Sequence, residues 1–362
     1  MPSARSVAWA KLALTDGLGP QGAFKLLRAF GTPEAILDAS PASLAEHVGD
    51  RLGETIKLGP DPEALRYCLD WAAQSGHHFL NWDDPSYPQA LLRIPDPPIC
   101  LYFLGRIELL QAPALAIVGS RNATPQGREN ARAFARALGQ GGWTIVSGLA
   151  LGIDTAAHEG GLEAPGSSIA VLGTGIDRVY PAANRALAHR LAQSGGLLSE
   201  FPLGTAPAAG NFPRRNRLIS GLSQGCLVIE AALNSGSLIT ARLALEQGKE
   251  VFAVPGSIHS PFSKGPHRLI RDGAKLVETA QDILEELPRS APAAITGSPE
   301  AGLGSAEDDR VLACLGHDPA NLDTLAERCE ASVEHVASRL LELELSGKVA
   351  ALPGGLFQRI SR

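Results

Sequence analysis

Between residues 111 and 287 one pattern recurs. A short, apolar, β-branched run stops at glycine or serine, and a helix-length stretch follows. The runs fall at 115–118, 144–146, 169–172, 197–199, 227–229 and 251–254, with a weaker seventh at 275–277. Helices are predicted over 124–138, 184–193 and 237–247, among others. A strand that is apolar at every residue is buried on both faces, whereas a half-wet antiparallel strand would alternate. Strands of this kind separated by helices imply a parallel sheet covered on both sides. The expected fold class is α/β, a doubly wound, mostly parallel, Rossmann-like sheet.

The flanks differ. Residues 1–80 carry Ala8, Leu12, Phe24, Leu27, Phe30 and Ile36 at helical spacing. The turn Gly17-Leu18-Gly19-Pro20 divides two short helices, as in a sterile-alpha-motif or helix-hairpin-helix unit. A plain helical turn is preferred there over a phosphate-binding one. Residues 81–110 are proline-rich and predict an extended connector ending in a strand at 99–103. Residues 288–306 form a low-complexity linker. Residues 307–362 predict a winged helix. It has a first helix around Leu312 and Leu315, further helices over 321–329 and 332–345, and a hairpin over 349–357 around Pro353-Gly354-Gly355.

Composition excludes several classes. Acidic residues (38) outnumber basic ones (32), so nucleic-acid binding must rest on local clustering. The five cysteines are odd in number and form no C-x-x-C pair, which argues against a disulfide framework or a zinc ribbon. No signal peptide and no bilayer-length apolar run is seen, so a cytosolic protein without a membrane partner is expected. Neither a metal nor a cofactor is expected. The P-loop pattern is missing, and Gly173-Thr174-Gly175-Ile176-Asp177-Arg178 puts arginine where the dinucleotide fingerprint needs its third glycine.

In open parallel sheets ligands bind beyond the carboxyl ends of the strands. Here those ends run into Gly119-Ser120-Arg121, Ser147-Gly148-Leu149, Gly173-Thr174-Gly175, Ser199-Glu200-Phe201, Glu230-Ala231 with Asn234-Ser235-Gly236-Ser237, and Pro255-Gly256-Ser257. Glycine lets a ligand approach the backbone, and free N–H groups at helix starts receive anions. After Gly210 comes Asn211-Phe212-Pro213-Arg214-Arg215-Asn216-Arg217. An aromatic among arginines supplies what an unpaired nucleic-acid strand needs: a surface for bases and forks for phosphates. Arg121 belongs with this group, and Arg185 extends the basic path at the next helix start. The sequence thus predicts an open groove in which Arg121, Phe212 and Arg215 or Arg217 meet. Asp154 and His158 lie four apart on one helix face, but a capping aspartate and a packed histidine are preferred over acid–base chemistry. Glu200 and Glu230 end strands, where they would either fix a ribose or pair with arginines.

Taken together these residues resemble the DNA processing protein A (DprA, or Smf) family. The resemblance rests on Ala116-Ile117-Val118-Gly119-Ser120-Arg121, Val146-Ser147-Gly148-Leu149-Ala150, Gly152-Ile153-Asp154 with His158, and Ala170-Val171-Leu172-Gly173-Thr174-Gly175 with Tyr180-Pro181. Its strongest part is Phe212-Pro213, Arg215-Asn216-Arg217 and Ile219, followed by Ser235-Gly236-Ser237-Leu238 and Val254-Pro255-Gly256. The resemblance implies an extended Rossmann domain that binds single-stranded DNA without catalysis, protects incoming strands in natural transformation and helps load the RecA recombinase. It places DNA contacts at Arg121, Gly210, Phe212 and the residues from Arg214 to Arg217. Some members carry a lysine where Ala209 stands, a role Arg214 is expected to fill. It also implies a homodimer, for which Leu269, Ile270 and Leu276 are the candidate contacts. The winged helix is expected to contact protein, because Glu334, Glu342 and Glu344 outnumber Arg339 on its recognition helix. The alternatives are a Rossmann-like nucleotide phosphoribohydrolase using Glu230, Gly236 and Thr240, and a transcription regulator acting through the winged helix.

Overall fold

The computed structural model describes residues 3–287, 306–316 and 318–360. The chain opens with α1 (Ala4–Ala13), α2 (Pro20–Phe30), α3 (Pro33–Asp38), α4 (Pro41–Val48), α5 (Asp50–Leu58) and α6 (Pro62–Ala72). Proline opens α2, α3, α4 and α6, and Ser3, Thr32, Ser40 and Asp61 cap helix starts through their side chains. Both devices satisfy or remove the orphan N–H groups of a first turn. Trp9, Leu12, Leu26, Ile36, Leu44 and Ile56 form the core of this bundle. Gly17 turns the chain between α1 and α2 at φ 78°.

One expectation fails here. Residues 77–81 are not helical: β1 (His77–Asn81) pairs antiparallel with β2 (Cys100–Gly105), the strand expected at the end of the connector. Five residues directly after a helix are too few to separate a period of 2 from one of 3.6. Through β1 and β2 the bundle is fastened to the sheet, with Trp71 stacking edge-on against Tyr102.

The α/β region then runs β3 (Ala114–Val118), α7 (Pro125–Gln140), β4 (Thr144–Ser147), α8 (Ile153–Leu162), β5 (Ser168–Val171), α9 (Arg185–Ser194), β6 (Gly196–Ser199), α10 (Asn211–Leu222), β7 (Gly225–Val228), α11 (Ser237–Glu246), β8 (Glu250–Ala253), α12 (Lys264–Arg271), β9 (Lys275–Leu276) and α13 (Ala280–Glu286). The nine-stranded sheet has the order β1-β2-β6-β5-β4-β3-β7-β8-β9. Among the described strands of this sheet only β2 runs against its neighbours. From β3 the chain builds outward to β6 on one side, then returns to add β7, β8 and β9 on the other. The order therefore reverses between β3 and β7. Crossover helices leave in opposite directions at such a point, and a crevice opens beyond the strand ends.

Side chains of β3 alternate between two cores. Leu115 and Ile117 pack with Ala131, Phe134 and Leu138 of α7 and Ile153 of α8. Ala116 and Val118 pack on the other face with Leu218 and Ile219 of α10 and Ala241 of α11. Leu269 belongs to this second core at 9% exposure, and Ile270 packs against it. Ile270 keeps part of its surface in solvent, and Leu276 is half-exposed on β9 at the end of the sheet.

The C-terminal unit comprises α14 (Ala306–Leu315), β10 (Ala320–Asn321), α15 (Leu322–Cys329), α16 (Val333–Leu345), β11 (Val349–Leu352) and β12 (Leu356–Arg359), a winged helix. Its own core holds Leu315, Leu325, Val336, Leu340 and Leu343. On α16, Arg339 is paired with Glu342 at 2.6 Å. The linker predicted over 288–306 lies outside the described residues except for Ala306, which begins α14.

Candidate functional site

A cavity of about 820 Å³ opens beyond the carboxyl ends of β3 and β7, at the point where strand order reverses. Its wall includes Gly119, Ser120 and Arg121 after β3, and Asn234 to Ser237 after β7. Phe212, Arg215, Asn216 and Ile219 of α10 complete one side. These four sit at helical spacings of three and four, so they share one face. The rim is open: Arg121, Asn122, Tyr180, Ala209 and Asn234 are all solvent-exposed.

Two helices begin at this cavity. Neither Gly210, before α10, nor Gly236, before α11, supplies a side-chain cap. Ser235 Oγ accepts the Ser237 N–H at 3.3 Å and the Asn211 N–H donates to Ala208 O at 3.0 Å, so what these helix starts hold out to an anion is their partial positive charge rather than free N–H groups. An added Cβ at Gly210 or Gly236 would meet nothing within 4 Å. Gly210 and Asn211 border the cavity rather than line it. Asn216 ties the two helices together, its Nδ2 donating to Gly236 O at 3.4 Å.

Phe212 is half-buried, between two groups. The Arg121 guanidinium lies 6.0 Å from its ring centroid. The Tyr180 ring lies 5.6 Å away on a 41° tilt. A Cβ on Gly173 would stand 2.7 Å from Phe212 Cδ1. Gly173 is thus a glycine because the Phe212 ring fills its side-chain space, not because a ligand touches its backbone. The same holds at Gly148, where a Cβ would meet Arg215 Nη2 at 2.5 Å, and at Gly119, where it would strike Ile153. At all three turns internal packing is by itself enough to require glycine, and of the three only Gly119 also lines the cavity.

Arg215 is 5% exposed, yet borders the cavity floor. Its Nη1 donates to Gly148 O at 2.8 Å and to Val171 O. The buried carboxylate of Asp154 balances it while accepting the Gly148 and Ala150 N–H groups. Burial lowers the Arg215 guanidinium to about 10, against the pull of Asp154, so it stays charged at neutral pH. Asp154 therefore stabilises the 148–150 loop instead of capping α8. His158, beneath the same loop, accepts the Leu149 N–H at Nε2 and faces Ser168 Oγ at 2.7 Å through Nδ1. Accepting at Nε2 fixes the proton on Nδ1. Burial and the Arg215 charge push His158 down to about 3.

Arg217 and Arg214 do not join the cavity. Arg217 is buried on the opposite side of α10, where Nη2 bonds Glu200 Oε2 at 2.5 Å and Nε lies 3.3 Å from Asp96. Positions 215 and 217 are roughly 200° apart around a helix, so they cannot serve one groove. Arg214 is half-exposed, 3.4 Å from Glu200 and 5.6 Å from the Phe201 ring centroid. It lies outside the cavity lining, to which Ala209 belongs. The expectation that the whole basic run faces a ligand is corrected: among these three only Arg215 does, and it does so from inside. Arg185 is exposed at the start of α9, away from the cavity lining. Thr174 is buried and donates its hydroxyl to Arg178 O at 2.6 Å. Ser237 is engaged with Ser235, Oγ to Oγ at 2.7 Å. Among the described residues Glu230 pairs with no arginine. It accepts the N–H and hydroxyl of Thr124 at 2.9 and 2.6 Å, bracing the start of α7 outside this cavity.

Sequence reasoning missed Asn122, Tyr180 and Ile239 as lining groups, whereas Asn234 and Ser235 lie in a strand-end turn that it singles out. For Tyr180 a signal existed, namely a large aromatic in a loop that follows a glycine-rich strand end. Among the described residues no group of His, Cys, Asp and Glu is arranged to hold a metal, and no helix is long and apolar enough to cross a membrane.

Fold and site define a class: a doubly wound α/β domain with a cleft lined by aromatic and arginine side chains at its topological switch point, followed by a winged helix. A family model described as DNA recombination-mediator protein A matches residues 78–288, and one described as DprA winged helix domain matches residues 285–355. The chain belongs to the DNA recombination-mediator protein A (DprA/Smf) family. It is 46% identical to protein Smf of Escherichia coli over 81% of this chain and 80% of that one. The crystal structure of DNA processing protein A from Streptococcus pneumoniae superposes with a TM-score of 0.69 at 36% identity, covering 80% of this chain and all of that one. A structure of DNA processing protein A from Helicobacter pylori, described as revealing a single-stranded DNA binding mode, superposes with a TM-score of 0.53 at 33% identity over 58% of this chain and 97% of that one.

Proposed function

We propose that this protein binds single-stranded DNA in the cavity at the β3–β7 switch point, without cutting it, and hands the strand to the RecA recombinase as an incoming strand is recombined during transformation. The observation that carries the reading is that Arg121, Phe212 and Arg215 line one open cavity beyond the carboxyl ends of β3 and β7. Exposed Arg121 meets phosphate, the Phe212 ring receives a base, and buried Arg215 charges the floor. Family membership and the single-strand binding described for the Helicobacter relative support it. Both strand-end carboxylates considered for chemistry are taken up internally, Glu230 by Thr124 and Glu200 by Arg217, which favours binding over hydrolysis of a nucleotide. We take the working form to be a homodimer in the cytosol, with Leu276 as the exposed member of the apolar set on the last strand of the sheet. The winged helix serves protein contact, since the arginine of its recognition helix is paired with Glu342.

The test is a gel-shift series with single-stranded and duplex oligonucleotides of one sequence. Single strands should bind in preference, and Arg121→Ala should weaken binding and flatten the log K against log salt slope by about 0.7, the loss of one phosphate contact on a single strand. Equal binding of both forms, or release of free base from a nucleoside monophosphate, would overturn the reading. RecA transfer is tested by recombinase filament formation on strands coated with single-strand-binding protein, which this protein should accelerate.

A further inference from the structure

We infer that Tyr180 is a second base-stacking surface of the groove, set at fixed spacing from Phe212 by the 148–150 loop, so that the ligand is at least two consecutive unpaired nucleotides. The inference rests on the single-strand reading above and extends it. Tyr180 is 47% exposed on the cavity rim, and among the described residues nothing bonds its hydroxyl. Burial does not explain a large ring left in water on the wall of a cleft. Its centroid lies 5.6 Å from that of Phe212, and the Arg121 guanidinium lies 6.0 Å from the Phe212 centroid. Two rings at that separation leave no room for a base between them, since stacking on both faces needs about 7 Å. A base stacked on the exposed Tyr180 ring is therefore a different base from one held at Phe212. A mononucleotide has only one base, so the pair fits a strand.

The spacing is built, not incidental. Asn184, four residues after Tyr180, is 5% exposed. Its Nδ2 donates to Leu149 O at 2.9 Å, Ala150 O at 3.2 Å and Thr155 Oγ1 at 3.0 Å. Arg215, three residues after Phe212, donates to Gly148 O in the same loop. Both aromatic-bearing segments are therefore referenced to residues 148–150. Leu149 there adopts φ 58°, a conformation that non-glycine residues rarely hold and that costs about 1–3 kcal/mol. The His158 acceptor beneath it keeps it in place. Asn184 is a positioning residue for Tyr180, as Arg215 is for Phe212.

Affinity of the full chain for oligo-dT, by fluorescence anisotropy, tests this. Loss of one stacked base is worth about 1–3 kcal/mol, so Tyr180→Ala should bind roughly 5- to 150-fold more weakly. Tyr180→Phe should restore the loss, and the melting temperature of both should match the wild type. A 2-aminopurine walked along the oligonucleotide should be quenched at two neighbouring positions. Tyr180→Ala should release one and Phe212→Ala the other. Asn184→Ala should brighten the Tyr180 position alone, which a general loss of stability would not do. If Phe212→Ala weakens binding while Tyr180→Ala stays within twofold of the wild type, the second surface does not exist and the single-strand reading stands. If the wild type itself shows no preference for single strands, both fall.

Discussion

Replacing Arg217 by methionine separates an internal arginine from one that serves a ligand. The Arg217 side chain is 11% exposed and its partner Glu200 2%. Methionine keeps most of the volume but leaves the Glu200 carboxylate buried with only Arg214 nearby, at 3.4 Å. Removing one member of a buried ion pair costs about 3–5 kcal/mol, because the remaining charge is uncompensated. The residual help from Arg214 puts the expected loss near the lower figure, about 3 kcal/mol. With a urea m-value of about 1–3 kcal/mol per molar, the midpoint should fall by roughly 1–3 M. The four tryptophans, Trp9, Trp71, Trp82 and Trp143, all lie in the bundle and the α/β region, so their fluorescence follows the relevant transition without the winged helix. Arg121→Ala, at an exposed site, should change stability by no more than about 0.5 kcal/mol. DNA affinity should divide the opposite way, lost in Arg121→Ala and kept by folded Arg217→Met. Burial already raises the Glu200 carboxyl above its ordinary range, against the pull of Arg217 and Arg214. Without Arg217 it rises further, so the folded variant takes up a proton more readily than the unfolded chain, and the deficit should shrink as pH falls. The double variant Glu200→Gln, Arg217→Met should recover much of the loss, having no buried charge to strand. An Arg217→Met protein as stable as the wild type but unable to bind DNA would refute this account of α10.

Gly173→Ala should displace the Phe212 ring, which a Cβ there would approach to 2.7 Å; because the ring is half-buried and can swing outward, affinity for single strands should drop about as far as in Phe212→Ala while stability falls by roughly 1 kcal/mol or less, at the mild end of overpacking. His158 titrates near 3 folded against 6.5 unfolded, so the unfolded chain binds the proton first and folding stability is lost as pH falls below 6.5. Urea midpoints should register roughly 3 kcal/mol of that loss between pH 6.5 and 4, and His158→Gln should flatten the profile; parallel profiles would rule the histidine out. Glu230→Ala should destabilise by about 1 kcal/mol through the lost support of Thr124 at the start of α7, without changing DNA affinity, which thermal melts and anisotropy would check together.

The sequence by itself determined what depends on neighbours along the chain. Continuous apolar runs between glycine-rich turns required buried parallel strands, and the observed strands fall within a residue or two of the expected ones. Glycine- and serine-rich strand ends, with Arg121 after β3 and Phe212 at the start of α10, marked the edge at which the cavity lies. Spacing along α10 also held more than was drawn from it, since residues 212, 215, 216 and 219 share a face and residue 217 does not. Tertiary structure alone decided the rest. Strand order, which puts β7 beside β3 and so makes the crevice, comes from pairing between segments far apart in sequence. Which arginine is internal depended on where Glu200, Asp96 and the carbonyls of Gly148 and Val171 were brought. Glycines 148 and 173 answer to side chains from α10, a helix at least 38 residues further along the chain. A local pattern specifies which surface an element buries; what that surface meets is fixed only when the whole chain packs, because burial and charge compensation are summed over every contact at once.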